Sequence, residues 1–223
     1  STSRVYSIEP LAGLEVSIQA GAYQPVIEAD THCGISAQGV NESFKTLAPV
    51  SLYGATKLAS EALALDYGAT FDFPVYINRC GVLAGAGQFG RPDQGIFAFW
   101  LNSHLRRKKM AYIGFDGMGH QVRDCLHPRD LTSLIFSQVS SSRTLKAEER
   151  ILNCAGGSNS AMSLRNLTQW CDTRFGVHEV GTRPENRQFD IPWMVLDSSR
   201  AQEIWNWVPQ TPTRDILEEI AVH

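Results

Sequence analysis

Several features that mark other classes of protein are missing from this sequence. Lys and Arg number 20 against 23 Asp and Glu, a net charge of -3, and they form no basic stripe, which argues against nucleic-acid binding. The one basic cluster, residues 106–109, is interpreted as a helix end, where positive charge complements the helix dipole. No run approaches the roughly 20 apolar residues that a membrane-spanning helix needs, so we expect no membrane partner.

Cysteine and histidine are few and show no recognisable pattern. The five cysteines are an odd number without a Cys-x-x-Cys pair, so we expect reduced thiols in a cytoplasmic protein rather than a disulfide framework. The six histidines have no ligand-like spacing with one another or with cysteine. The sequence therefore predicts neither a disulfide-stabilised protein nor a metal site.

A glycine-rich strand, turn and helix, the element that binds a dinucleotide pyrophosphate, does not open the chain. Residues 85–90 have the spacing G-x-G-x-x-G, but Arg91 and Pro92 follow them rather than a helix. We interpret this segment as a substrate loop and not as a cofactor fingerprint.

What the sequence does contain is a tyrosine and a lysine four residues apart at the start of a strongly helical run. Tyr53 and Lys57 fall on one face of a helix, because positions i and i+4 are neighbours there. A free tyrosine titrates near pH ~10, but a neighbouring cation favours the phenolate, so the pair can act as a base. The same spacing also occurs in surface pairs without function.

Strands and helices alternate along the chain, which predicts an α/β fold. From apolar periodicity and capping residues, helices are predicted over 54–67 with Gly68 as C-cap, 94–109, 130–136, 163–175 with Ser163 as N-cap and Gly176 at its end, 198–205 with Asp197 as N-cap, and 213–220. Strands are predicted over 75–80, 110–115, 121–126 and 150–154. Residues 1–6 are interpreted as the end of a parallel strand, and residues 7–50, which lack periodicity, as an extended surface excursion.

Five motifs in a fixed order give the chain a likeness to a known family. They are residues 1–6, 53–57, 79–85, 121–124 and 197–201. Their order resembles the extended short-chain dehydrogenase/reductases, in particular the NAD-dependent nucleotide-sugar epimerases and dehydratases.

The resemblance implies the C-terminal part of a Rossmann-like parallel sheet domain with a smaller mixed α/β substrate-binding lobe. Residues 1–84 would belong to the Rossmann-like domain and residues 85–223 mainly to the lobe, with residues 121–154 returning strands and a helix to the core. The family's glycine-rich N-terminal half, which carries most of the NAD site, is expected to lie outside these 223 residues. We therefore expect these residues to be inactive by themselves.

The resemblance also implies roles for individual residues. Tyr53 would exchange a proton with a sugar hydroxyl, Thr2 would hydrogen-bond the sugar oxygen, and Lys57 would hold the nicotinamide ribose and favour the Tyr53 phenolate. Tyr53, Lys57, Cys80 and Val82 would form the part of the NAD site present here. Taken alone, Thr2 is also consistent with an ordinary threonine at a strand end.

For the substrate, the resemblance points to two arginines and one loop. Arg123 stands at the position of the family's phosphate-binding arginine, whose planar fork matches two diphosphate oxygens, and Arg183 is a second candidate clamp. Either side chain can instead form an ordinary surface ion pair. Residues 88–95 look like the substrate loop of the CDP-tyvelose 2-epimerase branch. The contact residues implied there are Gln88, Phe89, Asp93 and Gln94.

Two departures from the family pattern shape the expected reaction. Ser3 and Arg4 follow Thr2 where the 4,6-dehydratases carry an Asp-Glu pair, so dehydration is disfavoured. Residues 82–85 lack the Asn and Tyr of many epimerases, which leaves the sugar open. We expect an NAD-dependent epimerase of a nucleotide-diphosphate sugar that works through a transient keto sugar and forms a homodimer. The alternatives are an NAD(P)-dependent reductase of the same superfamily and a non-catalytic nucleotide-binding module.

Overall fold

The computed structural model describes residues 1–28, 32–91, 94–143, 145–185, 187 and 190–223. Its helices are α1 (Ile8–Ala12), α2 (Ser51–Thr70), α3 (Ile96–Leu105), α4 (Asp130–Val139), α5 (Leu164–Phe175), α6 (Ser199–Trp205) and α7 (Thr213–Val222). Its strands are β1 (Val16–Gln19), β2 (Ala22–Pro25), β3 (Ile35–Ser36), β4 (Gly39–Val40), β5 (Ile77–Cys80), β6 (Val82–Leu83), β7 (Met110–Ile113), β8 (Val122–Leu126), β9 (Ile151–Cys154), β10 (Ala161–Ser163), β11 (Val180–Arg183) and β12 (Trp193–Met194). This mixture of helices and largely parallel strands confirms the predicted α/β class.

Parallel pairing defines the Rossmann-like part of the fold. Strands β5 and β9 run side by side from the pair Ile77 and Ile151 to the pair Cys80 and Cys154. Cys80, the last residue of β5, also forms an isolated parallel bridge with Thr2. The carboxyl ends of these segments therefore meet at one edge, where open α/β sheets bind their ligands.

Strand β8 connects this part to the rest of the molecule. Its carboxyl-terminal half pairs in parallel with β6, and its amino-terminal half lies between antiparallel β10 and parallel β12. A separate parallel pair, β7 with β11, lies farther along the chain. Helix α3 packs on α5 and α7 around a core that includes Phe97, Trp100, Leu101, Leu167 and Ile216.

The prediction of an extended surface excursion over residues 7–50 is wrong. This stretch contains α1 and two small antiparallel hairpins, β1 with β2 and β3 with β4. It buries Leu11, Val40 and Phe44 in a core shared with the residues around β12. Elements of two to five residues are too short to show a period, and tertiary contacts hold them.

The helix that carries Tyr53 and Lys57 is longer than predicted. It runs from Ser51 to Thr70, so Gly68 lies inside it and is not its C-cap. A Cβ on Gly68 would lie 2.5 Å from the Val75 side chain, so this glycine permits close packing. The local signals for α5 are confirmed, because the Ser163 hydroxyl accepts a hydrogen bond from the N–H of Asn166 and Gly176 ends the helix.

Three smaller predictions also change. Residues Ser3–Val5 form a 3-10 turn instead of extending the strand. Helix α3 runs from Ile96 to Leu105 and is shorter at both ends than the predicted 94–109. Ser198 occupies the N-cap position of α6, while the Asp197 carboxylate accepts a hydrogen bond from the Ser199 N–H at 2.8 Å.

Candidate active site

Thr2 lies where the first extended segment ends. The N–H of Cys80 donates to the Ser1 carbonyl at 3.3 Å, next to the bridge between Thr2 and Cys80. The Thr2 hydroxyl accepts a hydrogen bond from the Arg4 N–H at 3.4 Å and so caps the 3-10 turn. The chain turns away at once after Thr2, which leaves this residue half-buried at the carboxyl edge of the parallel strands.

The first turn of α2 lies directly on that 3-10 turn. Gly54 is buried, and a Cβ at this position would lie 2.2 Å from the Arg4 carbonyl oxygen, so a residue with a side chain cannot take its place without a shift. This contact brings the helix turn that carries Tyr53 beside the turn that follows Thr2.

Tyr53 and Lys57 are arranged as their spacing predicts. The Lys57 ammonium nitrogen lies 5.6 Å from the centroid of the Tyr53 ring. The Tyr53 side chain is half exposed, while Lys57 is half-buried. A ligand that approaches from solvent can therefore reach the Tyr53 hydroxyl with the Lys57 ammonium nearby.

Cys80 is the last residue of β5, and Val82 is the first residue of β6. Burial raises the pKa of the Cys80 thiol, which keeps it neutral, so this side chain forms a small apolar surface and not a nucleophile. Val82 is half-buried and pairs with Cys125 of β8. Both residues therefore lie beside the Thr2 bridge.

Behind these strand ends lies Asp124, a carboxylate to which the sequence patterns gave no role of its own. Its side chain is 2% exposed and accepts a hydrogen bond from the Leu196 N–H at 3.1 Å, with further bonds from the N–H groups of Val82 and Gly157. Burial raises the pKa of Asp124 to about 6, and the main-chain donors oppose that shift. The sequence signal that would have indicated it is a carboxylate in the middle of the predicted strand 121–126.

Two hydrogen bonds attach the predicted substrate loop to the rest of the protein. The Gln88 amide donates to the Leu83 carbonyl at 2.9 Å, and the Ala86 N–H donates to the Glu219 carboxylate at 3.4 Å. Phe89 is 95% exposed, and Gln94 is exposed and hydrogen-bonded to Arg91 through the main chain. Asp93 lies outside the described residues.

The Arg123 guanidinium is hydrogen-bonded to other groups of the protein. One guanidinium nitrogen donates to the Val122 carbonyl at 2.7 Å, and another donates to the Ile191 carbonyl at 3.0 Å and approaches Asp190 at 3.4 Å. Burial lowers the pKa of Arg123 to about 10, which the Asp190 carboxylate opposes and the Arg4 guanidinium reinforces.

Arg183 lies apart from this cluster of contacts. It is the last residue of β11, which pairs with β7, and its side chain is exposed. The structure therefore joins Thr2, Tyr53, Lys57, Cys80 and Val82 into one region, and it places Arg123 and Arg183 on strands of two different sheets.

Two features are absent from the described part of the chain. None of the helices there combines the length and the apolar character needed to cross a membrane. Across residues 1–28, 32–91, 94–143, 145–185, 187 and 190–223, no three or more His, Cys, Asp or Glu side chains are grouped so that they could hold a metal ion.

Solved structures of longer proteins share this fold. The structure of UDP-glucuronic acid 4-epimerase from Bacillus cereus, in complex with UDP-glucuronic acid and NAD, superposes with a TM-score of 0.70 at 22% identity. The superposition covers 85% of this chain and 57% of that one. The fold is thus the Rossmann-like α/β fold of the nucleotide-sugar epimerases.

The family model for the NAD dependent epimerase/dehydratase family matches residues 14–155. The chain belongs to this family, within the short-chain dehydrogenase/reductase superfamily.

Among its curated relatives is CDP-paratose 2-epimerase of Salmonella typhi, 25% identical over 172 residues, which make up 76% of this chain and 50% of that protein. UDP-glucose 4-epimerase of Azospirillum brasilense is 28% identical over 175 residues, which cover 73% of this chain and 49% of that protein. The chain spans about half the length of the curated relatives that it matches.

Proposed function

We propose that this chain carries the acid–base residues and the sugar-binding lobe of an NAD-dependent nucleotide-sugar epimerase. The observation that carries the proposal is the close contact at Gly54, which seats the helix turn of Tyr53 on the turn that follows Thr2. The proposed division of the chain is the expected one, with residues 1–84 in the Rossmann-like domain and residues 85–223 mainly in the lobe.

In this proposal Tyr53 removes the proton from a sugar hydroxyl and later returns it. Thr2 hydrogen-bonds the same oxygen and can both donate and accept, as the change between alcohol and ketone requires. Lys57 stabilises the phenolate while the proton is away. The keto sugar presents its other face before reduction, and the net result is inversion at one carbon.

The donor set around Tyr53 fits a nicotinamide ribose, because an ammonium and a phenol can both hydrogen-bond a ribose diol. Lys57 and Tyr53 would hold that ribose, and Cys80 and Val82 would lie against the nicotinamide. NAD, when bound, supplies reversible hydride transfer. Because Tyr53, Lys57, Cys80 and Val82 would supply only the nicotinamide end of a dinucleotide site, we expect these 223 residues to show no turnover alone.

For the substrate, the proposal assigns the diphosphate to Arg123 and Arg183 and the sugar or base to Gln88, Phe89, Asp93 and Gln94. A diphosphate would compete with Asp190 for the Arg123 guanidinium, since these two groups lie 3.4 Å apart. The relatives named above act on CDP- and UDP-linked sugars, which makes these two nucleotides the first probes.

A calorimetric titration tests this assignment. The chain is titrated with CDP-, UDP- and dTDP-linked glucose, and Arg123→Ala is titrated in parallel. Saturable binding to one nucleotide series that is lost in Arg123→Ala supports the proposal. Equal binding by both proteins removes Arg123 from the site, and no binding by the chain or by the whole protein overturns the substrate class.

The second candidate, an NAD(P)-dependent reductase, is favoured by one observation. Residues 82–85 lack the Asn and Tyr of many epimerases, so the surroundings of the reacting sugar differ from the pattern of those enzymes. An epimerase regenerates its cofactor at each turnover, whereas a reductase consumes one NAD(P)H for each product. Stoichiometric oxidation of added NADH or NADPH by the whole protein would therefore favour the reductase.

The proposal also includes a cytoplasmic homodimer formed through α2. This helix leaves Leu52, Leu63, Tyr67 and the adjacent Phe71 largely exposed, at 90%, 71%, 60% and 60%. A second copy of the same helix would remove this apolar surface from water.

A further inference from the structure

The inner face of α2 has few fully buried side chains. Its three buried residues are Gly54, Glu61 and Gly68, spaced seven apart, so they form one stripe along the helix. Leu58 and Leu65 lie between them and are half-buried, and Leu58 packs on the core. The two glycines bring the helix backbone close to its neighbours but have no side chain, so Glu61 is the one residue of the three whose side chain can bond to the sheet.

Glu61 meets a guanidinium from the adjacent strand. Arg79 of β5 donates through Nε to one Glu61 oxygen at 3.1 Å and through Nη2 to the other at 2.7 Å. Both side chains are almost wholly buried, at 6% and 7% exposure. These two parallel hydrogen bonds between Arg79 and Glu61 are called the fork below. They fix the direction of both groups, so the fork resists sliding and rotation of α2.

The same guanidinium also contacts the segment that carries Thr2. Arg79 Nη1 donates to the Tyr6 hydroxyl at 3.4 Å, and the guanidinium carbon lies 5.2 Å from the Tyr6 ring centroid. The Tyr6 hydroxyl in turn donates to Asn153 of β9 at 2.7 Å. Burial raises the pKa of Tyr6 to about 12, so it remains a neutral donor. Tyr6 is four residues from Thr2, and its own exposure is 1%.

We propose that Arg79 is a positioning residue that sets the separation of Thr2 and Tyr53, through its fork to Glu61 on α2 and its hydrogen bond to Tyr6. Glu61 lies eight residues from Tyr53, about 12 Å along the helix at ~1.5 Å per residue. A slip of one residue would move Tyr53 by about 1.5 Å and turn it away from Thr2. The inference rests on the proposed function for its catalytic consequence, but its structural content does not.

Burial alone does not explain a charged pair at this place. A buried ion pair replaced by apolar residues of similar size often leaves a fold equally stable, whereas removal of one partner is strongly destabilising. Glu61→Leu combined with Arg79→Met therefore removes the directional bonds without leaving an unpaired charge. Arg79→Lys is the second variant, because it keeps the charge and loses the fork. Asp66→Asn, at an exposed carboxylate of the same helix, is the matched control.

The chain is labelled with 3-fluorotyrosine, and the fluorine resonance of Tyr53 is assigned by its loss in Tyr53→Phe. We expect one sharp Tyr53 line in the original chain and in Asp66→Asn, and a shifted or split line in the double variant and in Arg79→Lys. Urea unfolding is measured on the same samples to confirm that each variant is folded. If the double variant is unfolded, Arg79→Lys decides.

The catalytic consequence is measured in the whole protein with NAD and, in turn, CDP-, UDP- and dTDP-linked glucose. We expect kcat to fall about 10- to 100-fold while KM stays within about threefold, because displacement by about 1 Å has effects of this size. A folded variant with an unchanged Tyr53 line, or with unchanged kcat in an active enzyme, overturns the positioning role. An original protein without turnover counts against the proposed function instead, since the fluorine measurement needs no substrate.

Discussion

Helices α2 and α3 are attached to the molecule in opposite ways. Of the 20 residues of α2, three are buried, two glycines and one charged glutamate. Of the 10 residues of α3, six are buried, including Phe97, Trp100 and Leu101. Apolar burial in α3 is proportional to area and has no preferred direction, whereas the fork on α2 is directional. Helix α3 is thus held by apolar burial, whereas α2, which carries Tyr53, is held in one orientation by directional bonds.

The largest effect expected from this contrast is on stability. Trp100→Ala in α3 removes a side chain that is 3% exposed and whose indole N–H donates to Thr168 at 2.9 Å. Truncation of this kind costs about 3–5 kcal/mol of unfolding free energy. Leu63→Ala, at a 71% exposed position of α2, should change it by less than about 0.5 kcal/mol. Urea unfolding measures both, and comparable losses would contradict the contrast.

The buried Asp124 should make stability depend on pH. Its pKa is raised from 3.8 to about 6, so its contribution to stability is fully present below pH 3.8 and is lost as pH rises through 6. At ~1.4 kcal/mol per pKa unit, the loss is about 3 kcal/mol.

The measurement is the unfolding free energy at several pH values between 4 and 7, for the original chain and for Asp124→Asn, which cannot titrate there. The original chain should lose about 2 kcal/mol more than the variant over this range, most of the full difference. Parallel pH profiles would show that Asp124 does not titrate as described.

The two glycines of α2 are a matched pair that differ in how closely the backbone approaches them. A Cβ on Gly54 would lie 2.2 Å from the Arg4 carbonyl oxygen, so Gly54→Ala should cost about 1–3 kcal/mol of unfolding free energy. A Cβ on Gly68 would lie 2.5 Å from a Val75 methyl group and 2.9 Å from the Phe73 carbonyl oxygen, a looser backbone contact, and the better helix propensity of alanine, about 1 kcal/mol, offsets part of the strain. Thermal unfolding measures the loss of stability in both variants. An equal or larger loss in Gly68→Ala would show that the backbone contact at Gly54 is not the tighter constraint.

The smallest effect on the fold is expected at the outer face of α2. Leu63→Lys should leave the unfolding free energy of the protomer within about 0.5 kcal/mol, because the side chain is exposed. If α2 forms the proposed homodimer, the same change converts it to a monomer in sedimentation velocity. Val139→Lys, at an 81% exposed position of α4, is the control and should leave the oligomeric state unchanged. A dimer that persists in Leu63→Lys places the interface elsewhere.

The parts of the fold that sequence predicted are those encoded by local signals. Helix α5 was predicted by its Ser163 cap and its final Gly176, which act within one turn. The pairing of Tyr53 with Lys57 was predictable because the helix alone determines it. Residues 7–50 were not, since each short element there is stabilised by distant residues.

In the candidate site, too, local features were predictable and contacts between distant residues were not. The residue types at Thr2 and Arg123 fitted a family pattern, but the partners of Arg123 come from residues 190 and 191, far along the chain. Arg79 was included in a motif only for its position, and its fork to Glu61 depends on how α2 lies against β5. Contacts between separate elements of this kind carry no local sequence signal.

Strand β8 has a mechanical consequence for ligand binding. It pairs with β6 at one end and with β10 and β12 at the other, so the two parts of the molecule share a single continuous strand. A hinge near residue 84 would have to bend this strand and strain its ladder of hydrogen bonds. Under the proposed function, enclosure of a sugar would therefore strain the sheet less by movement of the loop around Gln88 and Phe89 than by rotation of residues 85–223 as a rigid body.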